Sequence, residues 1–402
     1  MGVAGMIGII SFHDGWNVGE LLKYAIPVLK HRGGGDTWAA VFSRSSGLTT
    51  LLMREDDKAP SGEAGLLCIG TNNEFRGVVK CGTIDVAYCL DGVVVRPMDV
   101  CRLINGEVKA LPYTSLIALT SNGELVAHRP VWLRNLVLGA YGFDLAMISN
   151  ESSAIGALGG EVRTFVKPGS TIRINRLKLS ISEGHSNSDA KLCAMEFIYL
   201  SRLDSEVDGH PVYEFRRALA RRLARRLVDK GVDVDVVIGM PETGIIYGLK
   251  VAEELRKPFE YALISIERHR SALRKDLLER LSSVHLKLSP VISTVRGKRV
   301  LLVDDSLLTG LSVKETSQVL RHRAGSNEVH VAIASPKVVR SCPYGIDMPP
   351  DDELLANTFN DEDAQKVLEV DSLTWVGLED LYSVADELGI GKDNLCTHCF
   401  RR

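Results

Sequence analysis

Two aspartates stand side by side at the end of an apolar run in the segment VLLVDDSLLTGLS, which extends from Val300 to Ser312. Neighbouring carboxylates repel each other, and hydroxyl groups and a glycine make a poor core, so the segment indicates a ligand. Ligands of open parallel sheets bind beyond the carboxyl ends of the strands. A turn into a helix offers backbone N–H groups to a phosphate, and paired carboxylates accept hydrogen bonds from vicinal hydroxyls. The pattern therefore predicts a sugar phosphate site, with a serine-capped acidic turn as the alternative.

Six of the eight cysteines fall into two groups by their spacing. The motif CTHC places Cys396 and Cys399 one turn apart, which lets both sulfurs reach one metal ion. On its own the motif fits a redox pair, half of a zinc site or a chance spacing. Four earlier cysteines have no ligand-like spacing, and in a large cytosolic chain we expect them to be small core thiols rather than disulfides. These four are Cys68, Cys81, Cys89 and Cys101.

Residues 1 to about 185 read as short alternating strands separated by glycine and asparagine turns, with one long helical pattern from Val18 to His31. This pattern predicts an antiparallel-sheet domain with few helices. The expected strands include LTTLLM, GVVK, TIDVAYCL, GVVVRPM, ELVAH and STIRI. The polar stretch from Ser180 to Lys191 is the best candidate for a linker.

The second half has a different pattern. The segment Val212–Lys230 predicts a helix with an apolar stripe at Leu219, Leu223 and Leu227 and an arginine-rich face, which we expect to be solvated. Beyond it, the apolar strands VDVVIGM, KRVLLVDD and EVHVAIASP alternate with helices, as in a parallel sheet covered on both faces. After Pro349 the chain is acidic and helical until CTHC.

Composition narrows the possible partners. The chain has 402 residues, 45% apolar and 25% charged, which predicts two or three globular domains. A net charge of -3 gives no electrostatic reason to expect nucleic acid or an anionic membrane. No apolar run approaches the roughly 20 residues that span a bilayer. The N-terminus lacks a basic region and a cleavage site, so we expect a cytoplasmic location.

Residues 193–402 resemble the transferase half of the glutamine phosphoribosylpyrophosphate (PRPP) amidotransferases, the amidophosphoribosyltransferase family, whose members are type I phosphoribosyltransferases. The resemblance rests on CAMEFIYLSRLDSEVDGHPVYEFRRALARRLA, VVIGMPETGIIYGLKVAEEL, VHLKLSPVISTVRGKRVLLVDDSLLTGLSVKE, CPYGIDMPPDDELLA and CTHCF.

The resemblance implies a PRPP site in which the PETG loop faces the pyrophosphate, the aspartates hold the ribose 2- and 3-hydroxyls, and the hydroxyl-rich loop holds the 5-phosphate. A lysine would offset the phosphate charge, and Mg²⁺ would be bound with PRPP and keep several waters. The implied residues are Glu242, Thr243, Gly244, Lys287, Asp304, Asp305, Ser306, Thr309, Gly310 and Ser312.

The chain departs from this family at two places. The family's phosphate loop has an arginine and two threonines where this chain has Thr309, Leu311 and Ser312. The run ISIERHRSALRKDLLERLSS stands in place of the family's shorter mobile loop, so no family role transfers to Arg268, Arg270 or Arg274, which lie in that run.

The resemblance also implies a metal centre. Cys193 and Cys342 join Cys396 and Cys399 at the positions of the ligands in the iron–sulfur subgroup of the family. Four thiolates suit a [4Fe–4S] cluster or zinc, which the residues alone do not separate; the family match favours the cluster. We expect the centre to tie the tail to the rest of the protein, since metal binding contributes to folding.

The opening MGVAGMIG resembles the CGVxGIxG start of N-terminal-nucleophile glutaminases, and the resemblance extends to about residue 180. Three of that family's functional positions are changed here. Met1 replaces the nucleophilic cysteine, Asn73 the arginine that holds the glutamine carboxylate, and Asp91 the oxyanion-hole asparagine. A thioether has no proton to lose, and a carboxylate repels a developing negative charge. The resemblance therefore implies a degenerate domain without glutaminase activity.

Together the resemblances imply an α/β and α+β chain. An N-terminal-nucleophile-hydrolase-like αββα sandwich at 1–185 is followed by a type I phosphoribosyltransferase parallel-sheet domain at 193–345 and a helical C-terminal tail at 346–402. The first hypothesis is an enzyme of purine biosynthesis that transfers ammonia to C1 of PRPP and releases pyrophosphate. The second is a non-catalytic regulatory or structural paralogue that partners an intact amidotransferase. A third is a metal-bearing scaffold without a nucleotide role. A homo- or hetero-oligomer is expected.

Overall fold

The computed structural model of the chain describes residues 4–33, 35–70, 73–182, 191–265 and 288–401. Several residues singled out above lie outside these ranges, together with most of the expected linker. They are Met1, Arg268, Arg270, Arg274 and Lys287.

The chain divides into two compact units, each built from separated stretches. The first unit comprises Met1–Val212, Cys342–Asp347 and Asp393–Cys396. The second unit comprises Tyr213–Ser341, Met348–Lys392 and Thr397–Arg402. The functional division into three segments stays a prediction.

The strands, in chain order, are β1 (Gly5–Ser11), β2 (Thr37–Ser43), β3 (Gly47–Leu52), β4 (Ala64–Ile69), β5 (Arg76–Cys81), β6 (Ile84–Gly92), β7 (Thr114–Thr120), β8 (Leu125–His128), β9 (Val137–Tyr141), β10 (Leu145–Ser149), β11 (Glu161–Phe165), β12 (Thr171–Ile174), β13 (Leu179–Ser182), β14 (Leu192–Cys193), β15 (Glu206–Val207), β16 (His210–Pro211), β17 (Val236–Gly239), β18 (Leu263–Ser265), β19 (Leu288–Pro290), β20 (Arg299–Asp304), β21 (Glu328–Ile333), β22 (Ser372–Trp375) and β23 (Leu395–Cys396). The helices are α1 (Val18–Leu29), α2 (Pro97–Ile104), α3 (Ser152–Ala157), α4 (Val212–Asp229), α5 (Gly244–Leu255), α6 (Ile292–Val295), α7 (Leu311–Gln318), α8 (Leu355–Thr358), α9 (Asp361–Leu368) and α10 (Leu378–Glu387).

Two antiparallel sheets form the first unit, with strand orders β11-β9-β10-β1-β4-β2-β3 and β13-β12-β8-β7-β6-β5. Strand β1 shows how they pack, because its side chains alternate between the two faces of its sheet. Met6 and Ile10 lie in the apolar cluster between the sheets. Ile7 and Ile9 lie in the cluster that also contains the buried side chains of α1 and α3. A third cluster joins the other sheet to α2. The layers are therefore helix, sheet, sheet and helix, which confirms the predicted αββα sandwich.

The second unit is built on a parallel sheet of order β17-β20-β21-β22. Strand β20 lies between β17 and β21, with Leu302 level with Ile238 and Val331. Its apolar side chains are fully buried, as expected for a strand covered on both faces. This arrangement confirms the predicted type I phosphoribosyltransferase fold.

Helix α4 has the predicted apolar stripe, and all three leucines in it are fully buried. Its arginine face is not simply solvated. Arg221 and Arg222 both pair with Glu387 of α10, at 2.9 and 3.0 Å. The charges that appeared as a run in the sequence therefore balance acids about 165 residues away.

One predicted strand is wrong. The segment GVVVRPM contributes only its first glycine to β6, and Pro97 begins helix α2 instead. A proline fits the first turn of a helix because the amide that it lacks would have no helical partner there.

The prediction that the first four cysteines are thiols is also wrong. Cys68 of β4 is bonded to Cys89 of β6, and Cys81 of β5 is bonded to Cys101 of α2. The Cα–Cα distances are 5.7 and 5.2 Å. All four are buried, as expected, but the spacing along the chain does not show that strands of opposite sheets bring two of them together.

Among the described residues, no helix combines the length and the apolar composition that crossing a membrane requires.

Candidate active site

Asp304 and Asp305 lie at the carboxyl end of β20, in the interior of the second unit's sheet. They are 8% and 4% exposed. The backbone N–H of Asp305 donates to Oδ1 of Asp304 at 2.9 Å. Burial, and then the neighbouring Asp305 carboxylate, raise the pKa of Asp304 well above its ordinary value. The fold thus places two carboxyl groups in a position where ionisation of both is unfavourable.

The loop after β17 approaches these acids. Thr243 Oγ1 donates to Oδ1 of Asp305 at 2.6 Å. The next residue, Gly244, permits the approach, because a Cβ there would lie 2.5 Å from the carbonyl oxygen of Val303. Glu242 is exposed in the same loop, and its peptide bond with Pro241 is cis. The predicted pyrophosphate loop and the acidic pair therefore lie side by side.

The hydroxyl-rich loop lies on the other side of the acids. Ser306 Oγ donates to Oδ2 of Asp305 at 2.6 Å. Thr309 and Ser312 are exposed, and the Thr309 hydroxyl accepts from the N–H of Leu311 at 3.5 Å. Gly310 has φ of +82°, which glycine adopts without strain, and it is the N-cap residue of helix α7. The loop offers exposed hydroxyls at a helix start.

Two buried polar residues near the acids were missed in the sequence. Tyr247 is fully buried on α5, and Arg216 on α4 is 2% exposed. Burial raises the pKa of Tyr247, the Arg216 charge opposes that rise, and the two aspartates add to it. Both residues occur inside ordinary amphipathic helices, so nothing in the sequence pattern marks them.

The structure therefore brings together Thr243, Gly244, Asp304, Asp305 and Ser306 of the predicted PRPP site. Lys287 lies outside the described residues. Two acids, several hydroxyls and the first N–H groups of two helices can bind a polyol that carries phosphates.

In the first unit, Asp91 belongs to a buried charge cluster. Its side chain is 1% exposed and accepts from Asn150 Nδ2 at 2.9 Å. The guanidinium groups of Arg32 and Arg134 approach it to 3.7 and 3.8 Å. Among the residues that the structure describes, Asp91 Oδ1 and the Nε atoms of both arginines have no hydrogen-bond partner.

The same Arg32 also binds two other buried acids, Glu151 and Glu196, at 2.7 Å each. The two glutamates raise the pKa of Arg32 against the effect of burial, which acts to lower it. Burial alone would raise the pKa of Glu151, but the Arg32 charge together with the contacts from His31 and Ser205 outweighs it and lowers that pKa to about 2. The sequence did not reveal this cluster, because its members are spread from residue 32 to residue 196. Asn73 is not part of it and accepts from Arg76 at 2.7 Å.

Three of the four predicted metal-binding cysteines lie in the first unit. Cys193 and Cys396 are level with each other in the parallel pair β14–β23. Cys342 accepts a hydrogen bond from the N–H of Tyr344 at 3.4 Å. Burial, and next the Cys396 sulfur, raise the pKa of the Cys193 thiol. Cys399 belongs to the second unit. Within the described ranges, no group of three or more His, Cys, Asp or Glu side chains is arranged as a metal site.

Comparisons with known proteins agree with these features. A family profile described as phosphoribosyl transferase domain matches residues 214–341. The amidophosphoribosyltransferase of Methanocaldococcus jannaschii is 32% identical over 349 residues, covering 81% of this chain and 71% of that protein. The amidophosphoribosyltransferase of Methanothermobacter thermautotrophicus is 31% identical over 450 residues, covering 98% and 93%.

The fold has a counterpart along nearly its whole length. The structure of glutamine PRPP amidotransferase from B. subtilis, complexed with ADP and GMP, superposes with a TM-score of 0.82 at 24% identity. The superposition covers 98% of this chain and 96% of that one.

Proposed function

The chain belongs to the amidophosphoribosyltransferase family, and on that premise we propose that it binds PRPP and transfers ammonia to C1 with release of pyrophosphate. The observation that supports this most directly is the buried pair Asp304 and Asp305 at the end of β20. The hydroxyls of Thr243 and Ser306, which lie in two different loops, donate to the two carboxylate oxygens of Asp305. Such an arrangement fits a ribose diol between two phosphate-binding turns.

The reaction requires little covalent participation by the protein. Pyrophosphate leaves C1 through a state with oxocarbenium character, and ammonia takes its place. Holding the sugar, the leaving group and the incoming amine in line supplies most of the acceleration. Mg²⁺ bound with PRPP would favour the charged form of Asp304, which burial disfavours.

The protein is proposed to take ammonia and not to hydrolyse glutamine itself. Met1 supplies no thiol for a thioester. Asp91 is a carboxylate where the family has an oxyanion-hole amide, and Arg32 is already bound to Glu151 and Glu196. A glutamine bound at this position would meet charged side chains that are already paired with one another.

The deciding assay is pyrophosphate release from anaerobically purified protein given PRPP and Mg²⁺. We expect release with ammonium and none with glutamine. Release with glutamine as fast as with ammonium would contradict the loss of glutaminase activity. Binding of PRPP without release would favour the alternative, a non-catalytic subunit that partners an intact amidotransferase, and absence of binding would contradict both.

We also propose that Cys193, Cys342, Cys396 and Cys399 hold a [4Fe–4S] cluster, with zinc as the alternative. The support from this chain is the chemistry of the donor set and the paired register of Cys193 and Cys396. The cluster would contribute binding free energy to folding. Iron, sulfide and zinc analysis of anaerobically purified protein distinguishes the two metals, and loss of iron in C396S, without loss in C68A, would support this ligand set.

A further inference from the structure

Thr243 occupies the position before helix α5, where a threonine hydroxyl ordinarily accepts a hydrogen bond from a helix N–H. Here the side chain makes no such bond. Its Oγ1 donates instead to Oδ1 of Asp305 across 2.6 Å. A hydroxyl has one proton to donate. That proton is therefore directed at the acid on the ribose side of the site and not at the pyrophosphate side.

Asp305 is held from both directions. Ser306 Oγ donates to its other oxygen, Oδ2, also at 2.6 Å. The residue is 4% exposed, so water reaches it little. Two short bonds to different oxygens fix the rotation of the carboxylate plane. Each oxygen keeps a lone pair with which it can accept from a ligand hydroxyl.

The backbone is shaped for this contact. Gly244 lets the start of α5 approach the end of β20, where a Cβ would meet the Val303 carbonyl at 2.5 Å and the Asp304 Cα at 3.3 Å. The approach brings the hydroxyl of the preceding Thr243 within reach of Asp305. The first N–H groups of α5 are meanwhile not capped by the Thr243 side chain. They can serve a phosphate through the backbone alone.

We propose that Thr243 is a positioning residue for the Asp305 carboxylate, and that it supports binding of the ribose hydroxyls rather than of the pyrophosphate. The inference rests on the proposed function, because it takes Asp305 as the acceptor of a ribose hydroxyl. It changes the role that the family resemblance implies for Thr243. The pyrophosphate is then bound by the backbone N–H groups at the start of α5.

The test separates the two halves of PRPP. Ribose 5-phosphate and pyrophosphate are titrated separately, by calorimetry, into the full chain and its T243V variant. We expect T243V to bind ribose 5-phosphate about tenfold or more weakly, as for the loss of a hydrogen bond to a charged group, and pyrophosphate within about twofold of the parent. T243S, which keeps the hydroxyl, should restore the affinity for the sugar.

The matched control is T294V, which removes a hydroxyl that donates to the Val291 carbonyl at 2.7 Å in the same unit. It should leave both affinities unchanged. Unchanged binding of ribose 5-phosphate by T243V, or equal weakening of both ligands, would overturn the inference. A parent protein that binds no PRPP would instead contradict the proposed function, and that result is seen before any variant is made.

Discussion

Asp304 carries its carboxyl group where the surrounding protein disfavours a charge. Burial and the adjacent Asp305 both raise its pKa. Taking carboxyl groups out of water costs free energy of folding. An acidic pair in such a place is therefore best explained by a ligand, and the same pair is where a substitution can separate binding from stability.

Replacing both acids in D304N/D305N should abolish measurable PRPP binding without lowering the melting temperature. The amides lose the charged acceptors, while their neutrality relieves the repulsion and desolvation that act on the acids. Calorimetry with PRPP and thermal melting of the same sample provide the two measurements. The control is N327A, which removes an exposed hydrogen bond from the side-chain amide of Asn327 to the Gly297 carbonyl. A double variant that keeps the parent affinity would show that the acids do not contact the diol.

His128 is a second residue whose environment sets its charge. It is fully buried on β8, and burial lowers its pKa from 6.5 to about 4. Nε2 accepts from the N–H of Leu111, and Nδ1 lies 3.0 Å from the Thr171 hydroxyl. The neutral ring satisfies both contacts, so protonation favours the unfolded chain.

The free energy of unfolding should therefore fall as the pH is lowered through the range between 6.5 and about 4. In that range the unfolded chain binds more protons than the folded one, and the full loss from this residue would be about 3 kcal/mol. In H128Q the amide can keep both contacts without titrating. Urea melts at several pH values should show a shallower acid dependence for H128Q. Parallel curves for the two proteins would contradict the role of His128.

At the scale of elements, the contact between α5 and β20 depends on one missing side chain. G244A would place a Cβ 2.5 Å from the Val303 carbonyl, so the loop has to move outward. We expect destabilisation by about 1–3 kcal/mol and a loss of PRPP affinity larger than in T243V. The control G156A lies in α3 with open space around it and should be neutral or slightly stabilising. Parent-like affinity in G244A would mean that the approach is not needed for binding.

The disulfides connect elements of the first unit. Cys68–Cys89 joins the two sheets through strands β4 and β6, across a sequence separation of 21 residues. A loop of that size predicts about 3 kcal/mol of stabilisation. C68A/C89A should melt at a lower temperature than the parent under oxidising conditions. In the presence of a strong reductant the difference should narrow, because the parent then also lacks the bond. An equal melting temperature in oxidising buffer would contradict a stabilising role.

The sequence predicted best those elements whose signal is local. Helix α4 was expected at Val212–Lys230 and is observed at Val212–Asp229. It could be predicted because a leucine at every fourth residue marks its buried face. The apolar runs of β17 and β20 likewise identify buried parallel strands. The acidic pair was found because adjacent carboxylates after such a run are unusual in a core. The role of each PRPP-site residue stays a prediction.

Features that depend on distant residues could not be predicted. Arg32 meets Glu151 and Glu196 only after two sheets have formed, and no spacing along the chain indicates that contact. The two disulfides could not be predicted for the same reason, since the cysteines of each pair lie 20 or 21 residues apart in unrelated sequence patterns. Tyr247 and Arg216 resemble ordinary helical residues until the fold buries them.

At the scale of the whole molecule, the first unit is not one continuous stretch. The segment Cys342–Asp347 belongs to it, and Arg134 donates to the Tyr344 carbonyl at 2.9 Å. Tyr344 also packs on Tyr113, with ring centroids 4.8 Å apart. The first unit is therefore completed by residues that come, in the sequence, after much of the second unit.

A protein ending at Val212 should consequently be less stable than the same unit in the full chain. It lacks the Tyr344 segment and β23, and it leaves Arg134 without one of its acceptors. Thermal melting and amide hydrogen exchange should show a lower transition temperature, with weakened protection around β14 and Tyr113. Protection equal to that of the full chain would contradict the contribution of the late segments.

The pairing of β14 with β23 has a consequence for synthesis, since Cys193 meets a partner at Cys396. At ~5–20 residues per second, a ribosome needs roughly 10–40 s to travel from one to the other. During that interval β14 of the nascent first half lacks its partner β23 and is paired at the bridge between Leu192 and Leu133. The β14–β23 pair, and with it the side-by-side placement of Cys193 and Cys396, can therefore form only after nearly the whole chain has been synthesised.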